Sequence, residues 1–280
     1  MSKASDAFEQ EIVAMVSYHI GEALPMRLPQ WLLREGIRPG AEILGVRGIG
    51  SKDRRNKTDV IINLRNSMPI KISAKLKNAD YFGNWYGHQR FLQEFGEEAF
   101  LRMTAASTDF ANRWAKTAKA PYVGVSICFG RRTGKTGQNF TDIFNEQDIL
   151  TVARGFGEGD AAANCMYISN ESAGSIQGLI DHLEELSTEN VIRATNSFKV
   201  AHRPINPMTE YSNRGKNVYT RFQPYHALPQ RTVITLASEL FCLGEFVTVV
   251  PDCLNHNRIL DDLEQNYNIV IPRKQKLYSL

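Results

Sequence analysis

Asp59 and Lys75 are the residues of this 280-residue chain best spaced to do chemistry together. The run Lys57-Thr58-Asp59-Val60-Ile61-Ile62-Asn63-Leu64 leads through Arg65-Asn66-Ser67-Met68 into Pro69-Ile70-Lys71-Ile72-Ser73-Ala74-Lys75. Two β-branched apolar runs about a polar turn predict a β-hairpin. Alternation then sets Lys71, Ser73 and Lys75 on one face of the second strand, and Ile70, Ile72 and Ala74 on the other. An acid at the start of one strand thus meets a lysine at the end of the next. That pairing suits hydrolysis of a phosphodiester with a divalent metal. A cation held by carboxylates activates water and stabilises the leaving oxygen, while a lysine orients the water and offsets charge. Mg²⁺ suits such a site because it takes few protein carboxylates and keeps waters that a phosphate can displace.

Several elements must position this pair. Ser5 or Asp6 is placed to cap a first helix from about Ala7 to Ala23, with Phe8, Ile12, Val13, Met15, Val16 and Ile20 as its apolar stripe. Ile43 to Val46 reads as a short strand, followed by a basic, glycine-containing loop, Gly48 to Lys57. Beyond the hairpin, Leu92, Phe95, Ala99, Met103, Ala106, Phe110 and Trp114 recur at helical steps, with Gly96 a point where the helix could divide. Tyr122 to Phe129 reads as a strand. The order helix, strand, strand, strand, helix, strand predicts an α/β fold with a mixed sheet flanked by helices. In the second half, Gln147–Ala153, Ile176–Leu186 and Arg258–Tyr267 read as helices. Val191–Ala201, Asn217–Phe222, Thr232–Leu236 and Phe246–Val250 read as strands.

Thr58-Asp59, followed by Ser73-Ala74-Lys75, resembles the PD-(D/E)xK motif as it occurs in type II restriction endonucleases, and Lys57-Thr58-Asp59 is similar to the Lys-x-Asp variant of its first half. The order of elements over residues 7–129 matches that family's core. The resemblance implies a catalytic core in residues 1–130 and a β-containing extension, residues 131–280, serving DNA recognition and dimerisation. It implies a site-specific endonuclease on double-stranded DNA, with Mg²⁺ as cofactor, and a homodimer mirroring a palindromic target. Within it Asp59 binds the metal, Lys75 handles water, and Ser73 supports one of them. The sequence departs from the family at Ser73, where a second acid belongs. The family's Ser-x-Lys variant draws that acid from the following helix, at a position that falls here on His88 or Gln89. The nearest carboxylates are Asp80 and Glu94. Glu94 is the expected metal ligand, with Glu11 of the first helix as fallback. A structure- or damage-specific nuclease of the same fold, or a DNA-binding module with a decayed site, are the other readings.

Further basic segments bear on a nucleic-acid partner. Gly130-Arg131-Arg132-Thr133-Gly134-Lys135-Thr136 falls one residue short of a P-loop, with Phe129 where the first glycine belongs, so an ATPase is excluded. Arg131, Arg132 and Lys135 fit phosphate contacts on DNA, or equally a solvated turn. Arg214, Lys216, Arg221 and Gln223 include the side-chain types that read base edges, on or beside a strand. Trp85, Tyr86, His88 and Arg90 form an aromatic and basic cluster, with Trp85 expected in the core and His88 a possible supporting group.

Composition adds limits. A net charge of +3 permits a nucleic-acid partner without requiring one. Cys128, Cys165, Cys242 and Cys253 are far apart with no CxxC, which argues against zinc fingers and for reduced, mostly buried thiols. The acid-bearing N-terminus lacks the apolar core of a signal peptide, and no window reaches membrane-span length, so a cytoplasmic protein is expected.

Overall fold

In a computed structural model of the chain, residues 3–49, 57–79, 81–83, 85–131, 134–157, 159–210 and 217–274 are described, and they gather in two units. Unit 1 is Met1–Phe82 with Asn145–Phe198; unit 2 is Gly83–Phe144 with Lys199–Leu280. The chain begins in unit 1 with α1 (Lys3–Ser17), α2 (Gln30–Arg34), β1 (Ile43–Gly48), β2 (Val60–Leu64) and β3 (Ile70–Leu76). It passes through β4 (Tyr81–Gly83) to α3 (His88–Ala115), β5 (Val125–Gly130) and β6 (Gly137–Asn139) of unit 2. It returns for α4 (Asp148–Arg154), β7 (Cys165–Ser169), α5 (Ile176–His182), β8 (Leu183–Glu185) and α6 (Thr188–Thr195). Unit 2 closes with β9 (Lys199–Pro204), β10 (Arg221–Pro224), β11 (Thr232–Val233), α7 (Ala237–Phe241), β12 (Gly244–Val247), α8 (His256–Tyr267) and β13 (Ile269–Val270).

Unit 1 is α/β, with a mixed sheet flanked by helices in the order β1-β2-β3-β7-β8. The expected hairpin is its centre. β2 and β3 pair antiparallel through Val60–Ile72, Ile61–Lys71 and Ile62–Ile70, and Asn66 takes the turn with φ 53°. β1 pairs antiparallel with β2, β7 parallel with β3, and β8 antiparallel with β7. Ile70, Ile72 and Ala74 share a core with Val60, Ile62 and Leu64, onto which α1 sets Phe8, Ile12 and Val16, and α5 sets Leu179 and Ile180. The opposite face, carrying Ile61, Ser73 and Met166, is buried as well. Asn164 fixes the entry to β7: its Oδ1 accepts from Lys71 N at 2.7 Å and its Nδ2 donates to Pro69 O at 2.9 Å.

Three expectations are corrected here. The helix expected to reach Ala23 stops at Ser17, because residues 21–24 run back beside 41–43, with Gly21 N and Leu24 N donating to Ile43 O and Ala41 O. The segment 191–201, expected as one strand, is α6 and then β9. Ser187 Oγ caps α6 by accepting from Asn190 N, and Asn196 ends it in the left-handed region. Finally, the strand that extends the hairpin's sheet is β7; β5, expected in that place, belongs to unit 2. The division between units therefore does not fall at residue 130.

In unit 2, β9 lies between β5 and β6, antiparallel to both. β10 pairs antiparallel with β12, and β11 pairs parallel with β13. α3 breaks at Gly96, whose φ of 80° and ψ of 176° are open to glycine and strained for other residues. Phe110, Ala111, Tyr122, Val125, Phe222, Phe246, Ile259 and Leu263 form part of its core. Among the described residues, no helix is long and apolar enough to cross a membrane.

Candidate functional site

The Asp59 backbone is anchored on both sides before its carboxylate makes any contact. Its N–H donates to Ile72 O at 2.8 Å, and its carbonyl accepts from Ile49 N at 3.0 Å. β2 begins one residue later, so the Asp59 side chain takes over a role the backbone ladder would otherwise fill. Its Oδ2 accepts the N–H of Ala74 on β3 at 2.8 Å. The same Oδ2 accepts from Lys75 Nζ at 2.9 Å. Lys75 Nζ also donates to the carbonyl of Ala74, again at 2.9 Å. Both side chains are largely buried, 13% exposed for Asp59 and 17% for Lys75. A pair so placed interacts more strongly than one held in bulk water. Ser73 is a buried residue of β3, opposite Met166 of β7.

A third ionisable group joins this pair from α1. Glu9 is 6% exposed. Burial, and then the negative charge of Asp59, push its carboxyl up to about 7, with Lys75 partly opposing the rise. Helix geometry explains why Glu9 takes this place. At about 100° per residue, Phe8, Ile12 and Val16 fan across the face against the sheet, and Glu9 lies roughly 60° from its centre. Glu11, the fallback acid, lies roughly 100° away on the other side and is exposed. An acid one step beyond an apolar i, i+4, i+8 row was the signal that could have found Glu9.

Glu94, the acid expected to complete the site, belongs to unit 2. Its Oε2 accepts from Tyr86 OH and its Oε1 from Arg90 Nε, both at 2.6 Å. Arg90 also lies over the Tyr86 ring, 4.0 Å from its centre. Glu94 is thus engaged by a buried phenol and guanidinium. His88 is structural too: Nδ1 accepts from Cys253 N at 3.2 Å, so Nε2 carries the proton it donates to Val218 O at 2.8 Å. Burial holds its pKa below the ordinary histidine value. Trp85, expected in the core, is half-buried, with φ 47°.

The expected DNA-contacting residues divide. Arg131 follows β5 and is half-buried, and Lys135 is exposed on the turn into β6. The turn is closed by Gly137 N donating to Gly134 O at 3.1 Å and continues into a strand. A P-loop needs a helix there. Arg221 and Gln223 alternate with the buried Phe222 and Pro224 on β10. Arg221 Nη2 donates to Asp262 at 2.7 Å, and Gln223 Nε2 donates to the Tyr267 hydroxyl, both partners on α8. These two side chains are held within unit 2. Asp80, Arg132, Arg214 and Lys216 lie outside the described residues.

Among the described residues, no group of three or more His, Cys, Asp or Glu could hold a metal. Asp59 Oδ2 and the Ala74 carbonyl both face Lys75 Nζ, and Glu9 is buried within electrostatic reach of Asp59 and Lys75. That all-oxygen set fits a hard cation of the Mg²⁺ kind, which commonly takes one or two carboxylates and completes its shell with water. Lys75 balances Asp59, and ionising Glu9 adds a negative charge that a cation could offset. Comparison with protein-family models, with curated proteins and with solved structures returns no match. Fold and site define an α/β unit whose mixed sheet carries a buried Asp–Lys pair, with a second acid supplied by its first helix.

Proposed function

We propose that this chain is a Mg²⁺-dependent nuclease of the restriction-endonuclease-like, PD-(D/E)xK class, cutting double-stranded DNA at specific sites. One observation carries the reading. Asp59 at the head of β2 accepts from Lys75 Nζ, near the end of β3, at 2.9 Å and from Ala74 N at 2.8 Å, with Glu9 buried near enough to feel both charges. The arrangement of α1 with the strands β1, β2 and β3, and a further strand parallel to β3, supports the same class.

Under this reading the Asp59 and Glu9 carboxylates and the Ala74 carbonyl would hold the cation. When bound, such an ion supplies an activated water and a Lewis acid for the phosphoryl oxygen. Lys75 stabilises negative charge gathering on the phosphate and orients the attacking water. Ser73 brings no charge; it fills a buried strand position, and Glu9 supplies the second acid from another element. Arg131 and Lys135 are the described candidates for phosphate contacts in unit 2. A palindromic target would be matched by a homodimer.

The test is cleavage of plasmid and phage DNA with Mg²⁺ by wild type and by Asp59→Ala. Discrete fragments from wild type, with cleavage lost and DNA binding retained in Asp59→Ala, are expected. Full activity in the variant would sink the site. Cutting confined to branched or damaged DNA would redirect the reading to a repair nuclease. Binding without cleavage in Mg²⁺ or Mn²⁺ would leave a DNA-binding module.

A further inference from the structure

We infer that Lys75 is the resident cation of this site: its ammonium occupies the seat of the divalent ion, and the two compete for Asp59 and Ala74. The inference rests on the metal-site reading above and deepens it. Lys75 Nζ lies 2.9 Å from Asp59 Oδ2 and 2.9 Å from Ala74 O. One is a carboxylate oxygen and the other a carbonyl oxygen, the two donor types a hard cation takes. The lysine reaches them by folding back over its own strand to the carbonyl of the residue before it. Because Asp59 Oδ2 is also fixed by Ala74 N–H at 2.8 Å, the seat is rigid.

A dication and an ammonium cannot sit on the same two oxygens, since their repulsion in a largely buried site is far stronger than in water. Metal entry therefore requires Lys75 to swing away, and an incoming phosphate is the anion that would receive it. Without phosphate, the lysine holds the metal affinity of the free chain down. With it, metal and substrate bind more tightly together than apart. The device keeps the hydrolytic centre neutralised until substrate arrives.

The test is Mn²⁺ binding to the full-length chain without DNA, by electron paramagnetic resonance of the free ion, in wild type, Lys75→Met and Lys71→Met. Lys71 is the charge control. It sits four residues earlier on β3, roughly 13 Å along the strand and beyond a Debye length, with its Nζ donating to Gly159 O. Lys75→Met is expected to bind Mn²⁺ at least about tenfold more tightly than wild type, and Lys71→Met within about twofold of it. Circular dichroism establishes that each variant is folded. Equal affinity in wild type and Lys75→Met, or equal tightening in both variants, overturns the competition while leaving the nuclease reading intact. Absence of Mn²⁺ binding in all three overturns the competition together with the metal site on which it rests.

Discussion

Replacing Glu9 by glutamine should stabilise the metal-free protein increasingly as pH rises from 4.5 to about 7, and by a constant amount above that. The folded Glu9 carboxyl is raised from 4.5 to about 7 by burial and by Asp59. Its folded pKa exceeds its unfolded one, so between pH 4.5 and 7 the native chain keeps a proton that the unfolded chain has released. Stability is therefore lost as pH rises through that window. A shift of this size corresponds to about 3 kcal/mol at full effect, and roughly 2 kcal/mol once solvent screening of the acid pair is allowed for. Glutamine mimics the protonated acid and does not ionise. In EDTA, urea unfolding followed by circular dichroism should give wild type and Glu9→Gln similar stability at pH 4.5. At pH 8 the variant should be the more stable by roughly 2 kcal/mol. Mg²⁺ should reverse the order, because a ligand at a hundred times its Kd adds about 2.7 kcal/mol to the form that binds it. A pH-independent difference between the two proteins, or a less stable variant at pH 8, would refute the reasoning.

Other consequences reach into unit 2. Glu94→Ala strands a largely buried Arg90 and removes an acceptor from Tyr86, so it should destabilise by roughly 3 kcal/mol while Mn²⁺ affinity stays unchanged. Loss of Mn²⁺ binding with normal stability would return Glu94 to the metal site. Burial lowers His202 to about 3, with the charge of Arg113 contributing, and lowers His256 to about 4. Both folded values fall below the unfolded 6.5, so their contribution is full above pH 6.5 and is lost as pH falls toward 4. Amide protection factors in β5 and β9, taken against the intrinsic exchange rate at each pH, should fall across that range, and unchanged protection factors would contradict it. Unit 1, through Glu9, should show the opposite pH trend.

The hairpin was legible in the sequence because its pattern is local: β-branched runs, a polar turn and strict alternation around Ile70, Ile72 and Ala74. Asp59 and Lys75 followed from it, since register alone brings them to one end. Partnership between strands was not legible. Val125–Gly130 and Cys165–Ser169 are both short apolar runs, and nothing in their periodicity says which one lies beside β3. Glu9 was missed for a related reason. The apolar stripe of α1 shows which face turns inward, but not that the rim of that face meets the end of the hairpin. Glu94 attracted attention by its closeness in sequence, whereas Tyr86 and Arg90, its neighbours at i−8 and i−4, already satisfy it. In residues 191–201 the cap at Ser187 and the left-handed Asn196 outweighed a β-branched composition.

The double passage between units sets the order of events during synthesis. Ile72 and Cys165 become neighbours only after the chain has run out through residues 83–144 and returned. Closing so long a loop is entropically unfavourable and slow. The hairpin bearing Asp59 and Lys75 can form soon after residue 76 leaves the ribosome, while the far edge of β3 stays open until β7 emerges. During that interval a long apolar edge is available to other chains. A gene fragment ending at residue 130 would preserve this exposure permanently, since it lacks β7 and β8 of unit 1 and β9 of unit 2. Any contiguous piece that holds all of unit 1 also holds residues 83–144 of unit 2.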